Sequence, residues 1–191
     1  MLRSIVNKII AMPLWINLAG IAVAATSFSW VKDNLDKSYT ASNHPVDYVT
    51  GQTSFTGETI KGYYAHMQEA GTLDVYWTTQ LIDFGFIVSL FFLGAFVGSL
   101  LARLSLQGSW GHRLGVLAAM LVMSGATFDV VENLISFVML NDPLNFANWI
   151  AVPYSGFAVM KFASIALGMF AIIGSALFLI VGKLLSFART R

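Results

Sequence analysis

Apolar residues in this chain run in long blocks, without the alternation that marks strands. Four blocks reach the roughly 20 helical residues needed to cross a hydrocarbon layer about 30 Å thick: Ile9 to Trp30, Tyr76 to Leu104, Leu114 to Leu140 and Phe157 to Leu185. A polar segment, Val31 to Val75, separates the first two, and the other connections are short. Within it Ile60, Tyr63, Tyr64 and Met67 recur at helical spacing, with Glu58 in the first turn and Gly71 at the end. That spacing predicts an amphipathic helix over Thr56 to Gly71, lying on the outer interface, either capping a site beneath it or simply covering the bundle. Ser38 to Phe55 is poor in apolar residues and reads as a loop. The expected fold is all-α: a polytopic four-helix transmembrane bundle with a short amphipathic helix in its outer loop, forming one domain over residues 1–191. The first and last pairs of spans share no matching half-sequence, as an inverted-repeat carrier would require.

Composition strengthens the membrane assignment. Apolar residues make up 57% of the chain, charged ones 11%, and the mean hydropathy is +0.70, beyond the range of soluble domains. Lipid is therefore the expected surround. A net charge of +1, with no basic patch interleaved with aromatics, gives no case for nucleic acid. The absence of cysteine excludes disulfides, thiol exchange and thiolate metal sites. His44, His66 and His112 fall outside the predicted spans, so no intramembrane pair is expected to ligate haem. No metal and no cofactor are expected, and His44 and His66 read as solvated side chains.

Basic residues set the orientation. Arg3 and Lys8 precede the first span, Arg103 and Arg113 flank the second connection, and Lys183, Arg189 and Arg191 close the chain. The connection from Asn141 to Gly156 has no basic residue, and in Val31 to Val75 acids outnumber lysines. Both termini are therefore expected in the cytoplasm, most simply at a bacterial inner membrane. Trp30, Tyr76, Trp77, Trp110, Trp149 and Tyr154 lie near span ends, as interfacial anchors do. A competing view treats the N-terminus as a signal peptide cleaved after Ala22-Val23-Ala24; three spans and the same outer loop would remain.

Against this apolar background a few polar residues stand out. Asp83, Asp129, Glu132, Asn133 and Lys161 lie inside three different spans, where an ionisable group is costly and points to function. At about 1.5 Å per residue, Asp83 lies roughly 10 Å below Tyr76, and Glu132 and Lys161 roughly 12 Å in from Leu140 and Pro153. Three antiparallel helices thus bring their charges to one level. Helical spacing gives each a small or polar stripe: Gly125, Asp129, Glu132, Asn133 and Ser136; Gln80, Asp83, Ile87, Leu90, Gly94 and Gly98; and Lys161, Ser164, Gly168, Ala171 and Ser175. Gly94 and Gly98 form a GxxxG suited to close helix approach. Three carboxylates against one ammonium leave an excess of negative charge that a low-dielectric medium does not tolerate, so a carboxylate is protonated or a cation completes the site.

Three classes follow. One is a binding protein whose acidic cluster holds a proton, a cation or a small polar ligand. Another is a structural or assembly subunit of a larger membrane complex, with the cluster as interhelical glue. The third is an intramembrane enzyme acting on a lipid headgroup, with a carboxylate as general base and Lys161 or Asn133 stabilising developing charge; no nucleophile arrangement accompanies it, and whether the chain is an enzyme stays open.

Phe128-Asp129-Val130-Val131-Glu132-Asn133, Asn141-Asp142-Pro143 and Lys161 together resemble the FDxxEN motif and downstream lysine of an uncharacterised bacterial family of four-span membrane proteins. Gly71 to Asp83 resembles the segment before that family's second span, with Thr72 where the family tends to carry arginine. The resemblance covers roughly Glu58 to Gly168. It implies no activity, only that Asp83, Asp129, Glu132, Asn133 and Lys161 belong together.

Overall fold

The structure, a computed structural model, describes residues 1–189, with side chains through Leu185. The charges of Arg189 and Arg191, used above for orientation, lie outside the described side chains. Helix α1 (Leu2–Ala11) is followed by α2 (Leu14–Ala41), α3 (Tyr48–Gln52), α4 (Gly57–Glu69), α5 (Leu73–Leu104), α6 (Trp110–Asn141) and α7 (Ala151–Arg189), with a 3-10 turn at Asn148–Ile150 before α7. The described residues contain no strand. Four helices are long and apolar enough to cross a membrane: Leu14–Ala41, Leu73–Leu104, Trp110–Asn141 and the run Asn148–Leu185. The fold is an all-α polytopic bundle.

The first span differs from expectation at both ends. Pro13 has no amide hydrogen and forces Met12 into extended backbone (ψ 154°), so the helix breaks there and Ile9 belongs to α1. At the other end α2 runs eleven residues past Trp30. Its extension carries the i,i+4 ion pairs Lys32–Asp36 (2.5 Å) and Asp33–Lys37 (2.6 Å), and no glycine or proline interrupts it before Asn43 leaves the helical region at φ 54°. The remaining spans begin three to six residues earlier than predicted, where terminal polar residues stay helical. His112 consequently lies inside α6, its Nδ1 donating to the Ala102 carbonyl at 2.9 Å.

Contacts group into two compact units. The first comprises residues Met1–Thr26, Leu90–Gly125 and Ala163–Arg191. Its core places Val6 and Ile9 of α1 against Ala95, Ala119 and Met123, and the Arg103 guanidinium donates to the Ile10 and Met12 carbonyls, satisfying the end of α1. The GxxxG of α5 works as expected. A Cβ at Gly98 would lie 2.6 Å from Ala119 N and 2.7 Å from the Gly115 oxygen, and one at Gly94 would lie 2.3 Å from Val122. Only glycine permits that approach.

The second unit comprises Ser27–Ser89 and Ala126–Phe162. Here α4 forms as predicted, closed by Gly71 at φ 69°. Its apolar face covers the bundle, one of the two expected roles. Ile60, Tyr64 and Met67 are at most 2% exposed and pack on Tyr76, Met139, Leu140, Phe146, Ala151 and Tyr154, each buried side chain contributing about 1.5–3 kcal/mol. Tyr76 and Tyr154, expected as interfacial anchors, are thus core residues, whereas Trp30, Trp110 and Trp149 are exposed. Lys61 Nζ donates to Asn148 Oδ1 (2.8 Å) and the Phe55 amide to Ser155 Oγ (3.0 Å), tying the outer segment down. The expected loop from Ser38 to Phe55 is partly helical: it contains the end of α2 and the whole of α3, which Asp47 initiates by accepting from the Thr50 amide at 3.0 Å.

Candidate functional site: a buried lysine and carboxylate cluster

Three turns of helix and one short segment build the site, all within the second unit. On α6, Asp129, Glu132, Asn133 and Ser136 follow the i, i+3, i+4 rule onto one face, and none is more than 2% exposed. Lys161 reaches them from α7. Its Nζ donates to Asp129 Oδ1 (2.8 Å), to Glu132 Oε2 and to Gln52 Oε1 (2.9 Å), which uses all of the ammonium's donors. From α5, Asp83 Oδ2 accepts from Asn133 Nδ2 at 2.8 Å. The structure therefore brings together all five residues singled out in the sequence.

Sequence reasoning missed Gln52. It belongs to a segment read as a loop, yet it is 8% exposed and bonded to the buried lysine. The Asp47 cap, three residues before Thr50 and five before Gln52, was the available signal. Tyr64 was also placed only as an apolar position of an amphipathic helix. Its hydroxyl is buried facing Ser136 without a well-formed hydrogen bond, and burial pushes its ionisation upward.

Several buried polar atoms in and around the site have no partner, among them the hydroxyls of Ser136 and Tyr64, which can donate as well as accept. Glu132 Oε1, Asn133 Oδ1 and Gln80 Oε1 are buried with no hydrogen-bond partner, and such orphans are rare because each costs about 1–3 kcal/mol. Asp129 and Glu132 pair with the single ammonium of Lys161, and Asp83, held by Asn133, feels its charge without touching it. Among the described residues no group of three or more histidine, aspartate or glutamate side chains is arranged to hold a metal ion.

An aromatic group packs against α3, with His44 and Tyr39 next to Gly51. His44 lies among Tyr39, Tyr63 and Tyr76, with ring centroids 5.1, 5.1 and 5.3 Å away. Its Nδ1 lies 2.9 Å from the Val46 carbonyl, so Nδ1 carries the proton. Burial holds its pKa below the usual imidazole range. His44 is therefore not the solvated side chain expected, while His66 is exposed. The hydrogen bonds from Thr50, its backbone amide first, hold Asp47 below the usual carboxylate range.

Fold and site together define a polytopic α-helical membrane protein with a buried charged cluster. No family model, no curated protein and no solved structure matches the chain.

Proposed function

We propose that the cluster is an occluded binding site for a proton or a small monovalent cation, with Asp129 and Glu132 as principal acceptors, Lys161 as charge partner and Asn133 holding Asp83. The observation that carries this reading is the excess of buried carboxylates, Asp83, Asp129 and Glu132, over the one ammonium of Lys161, with Glu132 Oε1 and Asn133 Oδ1 left without a partner beside it. A proton on one carboxyl, or a cation among the oxygens, supplies both the missing donor and the missing charge. A multidentate divalent site fits less well, since it needs six or more oxygens. The proposed setting is a bacterial inner membrane with both termini cytoplasmic, so that the site lies in the outer half of the bilayer.

Infrared titration of the purified protein in lipid nanodiscs tests the proposal, with sodium varied at constant ionic strength. The isosteric variants Asp129→Asn and Glu132→Gln are run beside wild type. The expected result is a protonated-carboxyl band that Glu132→Gln removes or sodium displaces. A wild type with no such band and no response to sodium would refute the proposal. Native mass spectrometry after gentle extraction addresses the assembly-subunit alternative: other subunits retained by both wild type and Asp129→Asn would make the cluster part of a scaffold.

A further inference from the structure

A second feature lies in the first unit and is independent of the acidic cluster. A groove of about 480 Å³ runs between the α5–α6 turn and α7, lined by residues that include Leu104, Ser109, Trp110, Phe178, Gly182 and Lys183. One wall is apolar: Leu104 and Phe178 are 43% and 51% exposed, and a Cβ at Gly182 would meet nothing. The other wall is the first turn of α6, where Ser109 Oγ accepts from the His112 amide at 3.2 Å and the two amides before it, at Trp110 and Gly111, have no intrahelical acceptor and favour an anion. Ser175 Oγ donates to the Gly111 carbonyl at 2.7 Å and pins α7 beside this turn. The exposed Arg113, on the same turn, stacks on the lining residue Trp110, 5.7 Å from the ring centroid.

Charge selects the occupant. Residues 1–26, 90–125 and 163–185 contain no aspartate or glutamate, while Arg3, Lys8, Arg103, Arg113 and Lys183 all fall within them. All 10 acidic residues of the chain belong to the second unit. A groove that is apolar along a membrane-spanning helix and cationic at the helix end matches an acyl chain joined to a negatively charged headgroup. We propose that this groove binds an anionic glycerophospholipid, its phosphate between Lys183, Arg113 and the first turn of α6, its acyl chain along Leu104, Phe178 and Gly182.

The test is native mass spectrometry of the full chain released from nanodiscs containing equal phosphatidylglycerol and phosphatidylcholine. Wild type is expected to retain phosphatidylglycerol in preference. In Lys183→Gln the preference falls about fivefold, the effect of one basic residue at a membrane surface. Gly182→Leu fills open space, leaves charge untouched and is expected to lose both lipids. Excess inorganic phosphate is expected to leave the adduct in place. Equal retention of the two lipids by wild type would overturn the assignment, as would undiminished retention by Gly182→Leu or displacement of the adduct by phosphate alone. Both substitutions lie at open or exposed positions, and an unchanged thermal melt certifies that each variant is folded.

Discussion

Replacing Lys161 with methionine, which keeps the length of the side chain and removes its charge, tests the cluster most directly. In the folded protein Nζ lies 2.8 Å from Asp129 Oδ1 and bonds Glu132 as well, with lysine and both acids at most 5% exposed at the side chain. At an effective dielectric of 20, one pair at that distance attracts by about 6 kcal/mol before desolvation is counted. What the substitution removes is smaller, because burying the ammonium itself costs several kcal/mol. What it leaves is at least one carboxylate of the Asp129–Glu132 pair without its ammonium partner, and breaking a buried pair in this way costs about 3–5 kcal/mol. Lys161→Met is therefore expected to lower the unfolding free energy by that amount, measured by tryptophan fluorescence in mixed micelles with rising sodium dodecyl sulfate. Adding Asp129→Asn and Glu132→Gln to the same chain removes the stranded charge and is expected to restore at least half of the loss. A cost for Lys161→Met below about 1 kcal/mol, the level of solvent-exposed pairs, would show that water reaches the cluster and would refute the argument from burial. Failure of the triple variant to recover would locate the loss in packing instead of charge.

Other perturbations separate the parts of the structure. Gln52→Ala strips one acceptor from the ammonium and is expected to cost about 2 kcal/mol in the same unfolding assay, the range of hydrogen bonds to charged groups; an unaltered midpoint would mean that α3 does not support the cluster. Gly98→Leu drives a side chain into the backbone of α6 at Ala119 and Gly115 and is expected to cost about 3 kcal/mol or more, with stable wild-type-like protein arguing against the close approach. Asp47→Ala removes the cap of α3 and is expected to cost about 1 kcal/mol, seen as faster amide exchange over Tyr48–Gln52. The folded pKa of His44 is depressed below 6.5, so the unfolded state binds the proton more tightly. Stability is therefore undiminished above about pH 6.5 and is lost as pH falls from there toward the folded pKa. Val46, Asp47, His66 and the rings of Tyr39, Tyr63 and Tyr76 face this imidazole. Amide exchange in residues 44–52 should accelerate on acidification below pH 6.5 in wild type and lose that dependence in His44→Gln; the same acceleration in both would exonerate His44.

What was legible in the sequence had a period, and what was not depended on a partner. Asp129, Glu132, Asn133 and Ser136 declare a face because helical spacing is fixed, and their depth places them level with Asp83 and Lys161. Gly94 and Gly98 declare a close approach for the same reason. Gln52 declares nothing by itself. It sits in a five-residue helix, too short for periodicity, and it matters only because chain folding carries it to Lys161. Tyr76 and Tyr154 follow the same logic from the other side. Near a span end a tyrosine reads as an anchor, and only the docking of α4 over them makes them core. Thr72 stands where the resembled family tends to have arginine, and here its hydroxyl donates to the Ser42 carbonyl at 2.6 Å, closing the turn into α5.

The distribution of charge bears on which chemistry the cluster can support. Outside the spans the second unit carries Asp47, Glu58 and Glu69 against Lys61, and its helix ends add Asp33, Asp36, Asp74 and Asp142 against Lys32 and Lys37. The summed field over that surface is negative and concentrates cations at the expense of anions. An enzyme acting on a phosphate-bearing headgroup would need to draw that anion through this field toward carboxylates already in excess, with a lysine whose donors are all engaged. A proton or monovalent cation meets no such obstacle and relieves the excess on arrival. The same arithmetic predicts a salt effect: if a cation is the occupant, its apparent affinity should weaken with ionic strength through loss of the surface field, and charge-neutral substitution of Asp47 and Glu58 should flatten that dependence without abolishing binding. A proton-only site would show the salt effect as a shift in titration midpoint and no selectivity among sodium, potassium and lithium.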